Sequence, residues 1–317
     1  MVLVRGVVSL VTALVFIVCP CLNYSPKESN ILLNISVISD THLDYRLPLG
    51  QLLLVKALED MADSSIPPDA VVVSGDLTNY GDGESVKAFY DIFKKHCDAG
   101  QWVIASGNHD IGHVEDVTHE QARQRLIQYN NRYIGSDMKH IYYSMKVKGY
   151  TFIVMGDQSD DSWDYPDFNA DQLSFLDREL AKAALEGKPA FVICHWPLEG
   201  VNGQNVIWED GSMGTENSAH VRTILEKYKN VIYISGHMHA GINGDITKAL
   251  LGFSCVENRN GVNYINLPTY LLVNRYGIPW GGLGFQMEVY GKKMIIRARN
   301  YAASKWYSCY EYTVPFE

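Results

Sequence analysis

Residues 32–42 read LLNISVISDTH, a run of apolar and small residues that ends in Asp40-Thr41-His42. An apolar run of this length, bounded by polar residues, predicts a buried β-strand from Leu32 to Ser39. A carboxylate and an imidazole placed directly after such a strand lie at its carboxyl end, where ligands gather in open α/β sheets. This stretch therefore predicts both a class of fold and a place for a site.

The same combination of strand and polar tip recurs four more times along the chain. The further motifs are Gly75-Asp76, Gly107-Asn108-His109-Asp110, Cys194-His195-Trp196-Pro197 and Gly236-His237-Met238-His239. Each one places Asp, Asn or His where a predicted strand ends. The five motifs together predict one site assembled from distant parts of the sequence.

The segments between these motifs alternate between strand and helix patterns. Strands are predicted at 70–74, 102–105, 190–194 and 231–235, and helices at 51–61, 84–97, 118–133, 171–185 and 218–228. This rhythm favours parallel strands with helices on the faces of the sheet, which is an α/β fold. Strands at 141–147 and 151–155 around Gly149 predict a hairpin, and the chain after Gly236 is rich in strand patterns at 262–266, 284–289 and 294–299.

The residue types in the motifs are those that bind transition metals. Imidazole nitrogen and carboxylate oxygen suit zinc, iron and manganese. In an extended backbone, residues i and i+2 face the same way, so Asp40 with His42, and His237 with His239, could each reach one centre. Asp76 follows a strand and a glycine, which leaves both carboxylate oxygens available to bridge two ions. Gly75, Gly107 and Gly236 are expected to let the chain turn sharply away from each strand.

In this order, the motifs D-x-H, G-D, G-N-H-D, H and G-H-x-H resemble the calcineurin-like metallophosphoesterase superfamily over roughly residues 36–240. The resemblance implies a four-layer α/β/β/α sandwich with a two-metal centre. It implies Asp40, His42 and His239 on the first ion, Asn108, His195 and His237 on the second, and Asp76 between them. It also implies that His109 lies near the leaving group, with Asp110 orienting its ring.

The resemblance implies a dinuclear phosphoesterase that uses a metal-bridging hydroxide and two divalent or trivalent transition-metal ions, which are Fe, Mn or Zn. The D-x-H form is most similar to the cyclic nucleotide phosphodiesterase-like branch, so a phosphodiesterase is expected, acting on a small phosphate ester, with a nucleotide among the candidates. The alternatives are a phosphomonoesterase on the same site and a non-catalytic metal-binding scaffold of the same fold. The remaining histidines are interpreted as surface or core residues: His96, His113, His119, His140 and His220.

Composition limits the partners of the protein. The 317 residues carry 27 basic and 36 acidic side chains, a formal net charge of -9, which argues against a nuclease that binds nucleic acid through a broad basic face. Bound cations still permit a small anionic substrate. No Pro-, Gly- or Ser-rich linker divides the chain, so residues 31–317 are expected to form a single metallophosphoesterase domain.

The first 22 residues differ in character from the rest. Arg5 precedes an apolar run from Val7 to Cys19, about 13 residues, which is shorter than the roughly 20 needed to span a bilayer. Residues 1–22 are therefore expected to be a signal peptide or membrane anchor, with the protein exported or anchored outside the cytoplasm and contacting membrane only through this segment.

Three further expectations concern single segments. Cys255 and Cys309 could pair in an oxidising compartment, although buried free thiols are preferred. Residues 199–216, between two of the motif-bearing strands, could form a lid. The aromatic segment 270–285, with Tyr276 and Trp280, either borders the site or forms a packed β-layer, and the packed layer is preferred.

Overall fold

The computed structural model describes residues 30–135, 137–243, 248–250, 252–271, 273–275 and 280–317. The strands are β1 (Leu33–Ile38), β2 (Ala70–Ser74), β3 (Gln101–Ala105), β4 (Tyr143–Val147), β5 (Tyr150–Val154), β6 (Ala190–Ile193), β7 (Val231–Ser235), β8 (Val256–Arg259), β9 (Val262–Asn266), β10 (Leu283–Val289), β11 (Lys293–Asn300) and β12 (Lys305–Pro315). The helices are α1 (Pro48–Ala62), α2 (Gly83–His96), α3 (Asn108–Ile111), α4 (His119–Ile134), α5 (Ala170–Leu185), α6 (Gln204–Ile207) and α7 (Thr215–Leu225).

The strands form two mixed sheets of six. The first has the order β12-β11-β10-β1-β2-β3, and the second has the order β4-β5-β6-β7-β9-β8. The strands that carry the five motifs pair in parallel, β1 with β2 and β2 with β3 in the first sheet, and β6 with β7 in the second. Their carboxyl ends therefore lie on the same edge of each sheet, as the βα rhythm predicted.

The two sheets face each other and each is covered by helices on its outer side. Along the second sheet, Phe152 and Phe191 belong to the cluster shared with the first sheet, whereas Ile153 and Val192 pack with Leu176 of α5. This alternation follows from the two-residue period of a strand, which directs neighbouring side chains to opposite faces. On the first sheet, helix α4 contacts β3, α2 packs against α4, and α1 packs against α2. The four-layer sandwich is confirmed.

The predicted hairpin is formed by β4 and β5, which pair in register from Tyr143 with Val154 to Val147 with Tyr150. Lys148 and Gly149 make the two-residue turn with φ of 49° and 77°. Two positive φ values are what a tight hairpin turn requires to match the twist of its strands.

Strands β8 and β12 were not predicted. Strand β12 pairs with β11 at the outer edge of the first sheet and is half exposed along its length, with a register shift between Arg297 and Ala298. Its sequence, KWYSCYEYTVP, mixes polar and aromatic residues on both faces, so it lacks the continuous apolar run of a central strand. Strand β8 is four residues long and pairs only with β9 in the second sheet.

The predicted signal peptide or anchor at 1–22 lies outside the described residues and stays a prediction. In the part of the chain that the structure describes, no helix combines the length and apolar character needed to cross a membrane. Cys97, Cys194 and Cys255 are buried free thiols, so Cys255 does not pair with Cys309. Cys309 is disulfide-bonded, so the preference for a free thiol was wrong at that position.

Residues at the two ends of the segment 270–285 belong to the packed layer. Tyr270 is buried and its hydroxyl donates to the Leu53 carbonyl oxygen at 2.6 Å, while Leu283 and Phe285 belong to the core. Trp280 is 59% exposed, and Tyr276 lies outside the described residues.

Candidate metal centre

The structure brings the polar residues of all five motifs together. Asp40, Asp76 and Asn108 follow strands β1, β2 and β3 of the first sheet, and His195 and His237 follow β6 and β7 of the second. The carboxyl ends of these strands meet where the two sheets adjoin. The seven predicted ligands therefore converge, and six of them are at most 3% exposed, with the His239 side chain at 17%.

A first cluster of donor atoms forms around Asp40, His42, Asp76 and His239. The Nε2 atoms of His42 and His239 are 3.0 Å apart, and His239 Nε2 lies 3.1 Å from Asp40 Oδ1. His42 Nε2 lies 3.6 Å from Asp76 Oδ2. Two imidazole nitrogens and two carboxylates thus point at a common centre.

A second cluster contains Asp76, Asn108, His195 and His237. Asn108 Oδ1 lies 3.1 Å from His195 Nε2 and 3.0 Å from His237 Nδ1, and these two ring nitrogens are 3.2 Å apart. Asp76 Oδ2 is 3.2 Å from His195 Nε2. The same carboxylate oxygen therefore belongs to both clusters.

These distances fit metal coordination. Two ligands bound to one ion at about 2.1 Å, with an angle of 90° to 110° between them, lie about 3.0 to 3.5 Å apart. Most donor pairs in both clusters fall within this range. The donors are nitrogen and oxygen without sulfur, a set that suits zinc, iron and manganese. The residues present thus fit two transition-metal ions that share Asp76.

The backbone at the candidate ligands is in an unusual conformation. Of the eleven non-glycine residues with positive φ in the described part of the chain, five are candidate ligands. They are Asp40 (55°), His42 (40°), Asp76 (49°), His237 (67°) and His239 (48°). Left-handed backbone in residues with a Cβ costs of order 1 kcal/mol or more each and is concentrated at functional sites.

The expectation that extended backbone makes residues i and i+2 converge was wrong. Because Asp40 and His42 adopt left-handed conformations, they reach the first cluster through turns rather than along a strand. His237 and His239 enter different clusters, with His237 beside His195 and His239 beside Asp40.

The three motif glycines serve two purposes. Gly75 turns the chain with φ of 86°, as expected. Gly107 has an extended φ of -117°, and a Cβ there would lie 2.1 Å from Asp76 Oδ1. A Cβ on Gly236 would lie 2.5 Å from Asp40 Oδ2. At these two positions the requirement is for space beside a carboxylate rather than for a sharp turn.

The electrostatics of the clusters keep the carboxylates charged. Burial alone would raise the pKa of Asp40, but the hydrogen bond and charge of His239 hold it below its usual value. Burial opposes ionisation of Asp76 in the same way, yet His195 and His109 hold the pKa of Asp76 well below its usual value. Burial lowers the pKa of His42 to about 4. Two anionic carboxylates beside a neutral imidazole form a ready site for cations.

His195 is also oriented by a contact outside the clusters. Its Nδ1–H donates to the Ser74 carbonyl oxygen at 2.8 Å, which turns Nε2 toward Asp76. Histidine ligands of metals commonly donate their second ring N–H in this manner. Cys194, its neighbour, points the other way into the helix-side core, as expected.

His109 lies at the edge of the first cluster. Its backbone N–H donates to Asp76 Oδ1 at 3.0 Å, and its Nδ1–H donates to the Asn79 carbonyl oxygen at 2.8 Å. Its ring meets the ring of His42 edge to face, with centroids 4.6 Å apart. Nε2 is therefore the ring atom left for chemistry.

Asp110 does not orient the ring of His109, because the Asn79 carbonyl holds that ring. The Asp110 carboxylate instead accepts hydrogen bonds from the backbone N–H groups of Leu77, Thr78 and Gly107 at 2.9 to 3.0 Å. It ties the turn after β2 to the turn after β3. This is the turn-capping role that an Asp after G-N-H commonly has.

Sequence reasoning missed three residues beside the clusters. His113, interpreted as a surface or core histidine, stacks on His109 with ring centroids 4.1 Å apart. Asp164 accepts a hydrogen bond from Asn108 Nδ2 at 3.2 Å. Trp208, within the predicted lid segment 199–216, stacks on His237 at 4.8 Å. Only the position of 199–216 between two motif-bearing strands pointed to any of them.

Comparisons with known proteins agree with this geometry. Residues 33–241 match the calcineurin-like phosphoesterase family. A probable glycerophosphodiester phosphodiesterase, GpdQ, from Arcobacter nitrofigilis is 25% identical over 210 residues, which is 64% of this chain and 70% of the relative. A dimetal phosphatase from Danio rerio superposes with a TM-score of 0.60 at 15% identity, covering 91% of this chain and 100% of that chain. The match over most of the chain, with all five motifs in place at the strand ends, establishes it as a metal-dependent phosphoesterase of the calcineurin-like family.

Proposed function

We propose that this protein is a phosphodiesterase that hydrolyses a small phosphate diester at two transition-metal ions. Asp40, His42 and His239 would hold one ion, Asn108, His195 and His237 the other, and Asp76 would bind both. The observation that carries the proposal is Asp76 Oδ2, which lies 3.6 Å from His42 Nε2 and 3.2 Å from His195 Nε2 and so joins the two clusters.

Ions bound there would lower the pKa of a water molecule and draw charge from the phosphoryl oxygens. The chain itself supplies the proton for the departing alcohol. His109 is fixed through Nδ1 to the Asn79 carbonyl, so Nε2 would carry that proton to the leaving oxygen. A positioned general acid of this kind typically contributes about 10²- to 10⁴-fold to the rate.

A positive side chain beside the second cluster supports an anionic substrate. The Arg275 guanidinium lies over the Trp208 ring at 4.8 Å, and its backbone N–H donates to the His239 carbonyl oxygen at 2.7 Å. No described carboxylate forms an ion pair with Arg275, although other arginines, such as Arg46 and Arg299, have such partners. Its charge therefore remains available to a bound phosphate ester.

The choice of a diester over a monoester rests on the D-x-H motif and on the similarity to GpdQ, which is named as a probable glycerophosphodiester phosphodiesterase. The phosphomonoesterase and the scaffold remain the competing proposals. Export or membrane anchoring through residues 1–22 is proposed on the leader pattern alone.

The test uses the full chain, stripped with a chelator and reloaded with Zn²⁺, Mn²⁺ or Fe²⁺. We expect two equivalents of bound metal and a higher kcat/KM for bis-p-nitrophenyl phosphate than for p-nitrophenyl phosphate. A preference for the monoester would overturn the diesterase assignment, and two bound ions without turnover of either substrate would favour the scaffold. The variant His195→Ala should lose metal, whereas His220→Ala, at an exposed histidine on α7, should not.

A further inference from the structure

The amide of Asn108 must be held in one of two orientations for the second cluster to form. Its oxygen faces His195 Nε2 and His237 Nδ1, at 3.1 Å and 3.0 Å. Rotation by 180° about the last side-chain bond would exchange oxygen and nitrogen with almost no change of shape, so hydrogen-bond partners decide which orientation is populated. A flipped amide would direct N–H groups, which cannot bind a cation, at the cluster.

The partners of the amide nitrogen come from outside the five motifs. Asn108 Nδ2 donates to Asp164 Oδ1 at 3.2 Å and lies 3.3 Å from His113 Nε2. These two partners are themselves 3.1 Å apart, between His113 Nε2 and Asp164 Oδ1. A carboxylate oxygen accepts hydrogen bonds but cannot donate one, so Asp164 is compatible only with the orientation that places the amide oxygen inward.

The segment that carries Asp164 is anchored to the site. Trp196, which follows the candidate ligand His195, donates from Nε1 to the Asp164 carbonyl oxygen at 2.5 Å. Gly112 packs closely beneath the same segment, because a Cβ there would lie 2.4 Å from the Trp163 carbonyl oxygen. The Asp164 side chain is 44% exposed, yet its backbone is fixed from two sides.

His113 links this contact to the residue proposed as the general acid. Its ring stacks on that of His109 at 4.1 Å with an interplanar angle of 15°. Its backbone N–H donates to the Asn108 carbonyl oxygen at 3.1 Å. The pair therefore contacts both the amide ligand and the neighbouring His109.

We propose that Asp164, together with His113, is a positioning pair that fixes the Asn108 amide with its oxygen directed at the second cluster. The inference rests on the proposed metal centre and adds two residues to it. Residues that orient a metal ligand typically contribute about 10- to 100-fold to metal affinity. Asp164→Ala should therefore weaken one of two Mn²⁺ binding steps by that factor and leave the other within about twofold.

The experiment titrates Mn²⁺ into chelator-stripped full-length protein by calorimetry. Asp161→Ala is the matched control, because it removes an equal charge from the same exposed segment, and Asp161 contacts Ser159 rather than Asn108. Asp164→Asn should restore most of the lost affinity, because its amide oxygen can still accept from Asn108. An equal loss of Mn²⁺ affinity in Asp161→Ala and Asp164→Ala would mean that the loss comes from the removed surface charge alone, and would overturn the proposal.

A second experiment, in a variant with a changed residue 108, distinguishes a positioning role of Asp164 from general structural support. In Asn108→Asp both side-chain atoms are oxygens, so orientation no longer matters. There, Asp164→Ala should cause no loss of Mn²⁺ affinity and should raise it by relieving repulsion between two carboxylates. A similar loss in both backgrounds would overturn the positioning role. Wild-type protein that binds fewer than two ions would instead overturn the metal centre itself, a result distinct from failure of Asp164 alone.

Discussion

Asp157 offers a test of the electrostatics that does not involve the candidate ligands. It follows β5, is 2% exposed, and burial raises its pKa to about 7. Its Oδ1 accepts backbone hydrogen bonds from Ser159 and Asp167, both at 2.8 Å, which only partly offset the loss of hydration. The change tested is Asp157→Asn, which keeps this acceptor and cannot ionise.

The sign follows from proton linkage. In the unfolded chain the carboxyl ionises near pH 3.8, whereas in the folded chain it keeps its proton up to about pH 7. The folded state therefore binds more protons in this window, and the contribution of Asp157 to stability falls as pH rises from 3.8 to about 7. One pKa unit corresponds to about 1.4 kcal/mol, so the loss between pH 5 and pH 8 is about 3 kcal/mol.

The assay is urea denaturation of chelator-stripped wild type and Asp157→Asn at pH 5, 6, 7 and 8. The free energy of unfolding of the variant, relative to wild type, should rise by about 3 kcal/mol across this range, because other titrating groups cancel in the difference. A constant difference between the two proteins at all four pH values would refute the reasoning. It would mean that the Asp157 carboxyl has the same pKa in the folded protein as in the unfolded chain.

Three further variants test the site itself. His109→Ala should keep both bound ions and lose about 10²- to 10⁴-fold in kcat, measured by metal analysis and turnover; a parallel loss of metal would contradict its role as the acid. Gly236→Ala should lower the metal content, because its Cβ would lie 2.5 Å from Asp40 Oδ2. The control Gly291→Ala, whose Cβ would have nothing within 4 Å, should keep its metal. Equal metal content in the two variants would refute the argument that Gly236 is needed for space beside Asp40. Asp110→Ala should lower the free energy of unfolding of metal-free protein by about 3 kcal/mol in urea denaturation, because it leaves buried N–H groups without an acceptor. A loss of free energy of unfolding below about 1 kcal/mol would show that water replaces the carboxylate.

The sequence predicted the parts of the fold that follow from the pattern of apolar residues and from the positions of polar residues at strand ends. The apolar runs gave the central strands, and the polar residues at their tips gave the convergence of seven candidate ligands. Strand β12 was missed because an edge strand is exposed along much of its length and needs no apolar run.

The contacts around the site were less predictable because they depend on tertiary packing. Asp164 lies 56 residues from Asn108, and nothing in its polar, Asp-rich segment distinguishes it from Asp160 or Asp161. The left-handed conformations at Asp40 and Asp76 were also missed, since neither residue type requires positive φ. The sequence identified the candidate ligands but not the backbone conformation that directs their side chains toward the two clusters.

That backbone conformation couples ion uptake to the order of the loops. When no ions are bound, only hydrogen bonds and burial stabilise the left-handed conformation of the five candidate ligands. Amide hydrogens around residues 40–42, 76 and 237–239 should therefore exchange with solvent faster in chelated protein than in loaded protein, while those in the middle of β1 and β7 exchange slowly in both. Without bound metal ions, the two-sheet sandwich should therefore stay folded while the backbone at these five residues opens locally.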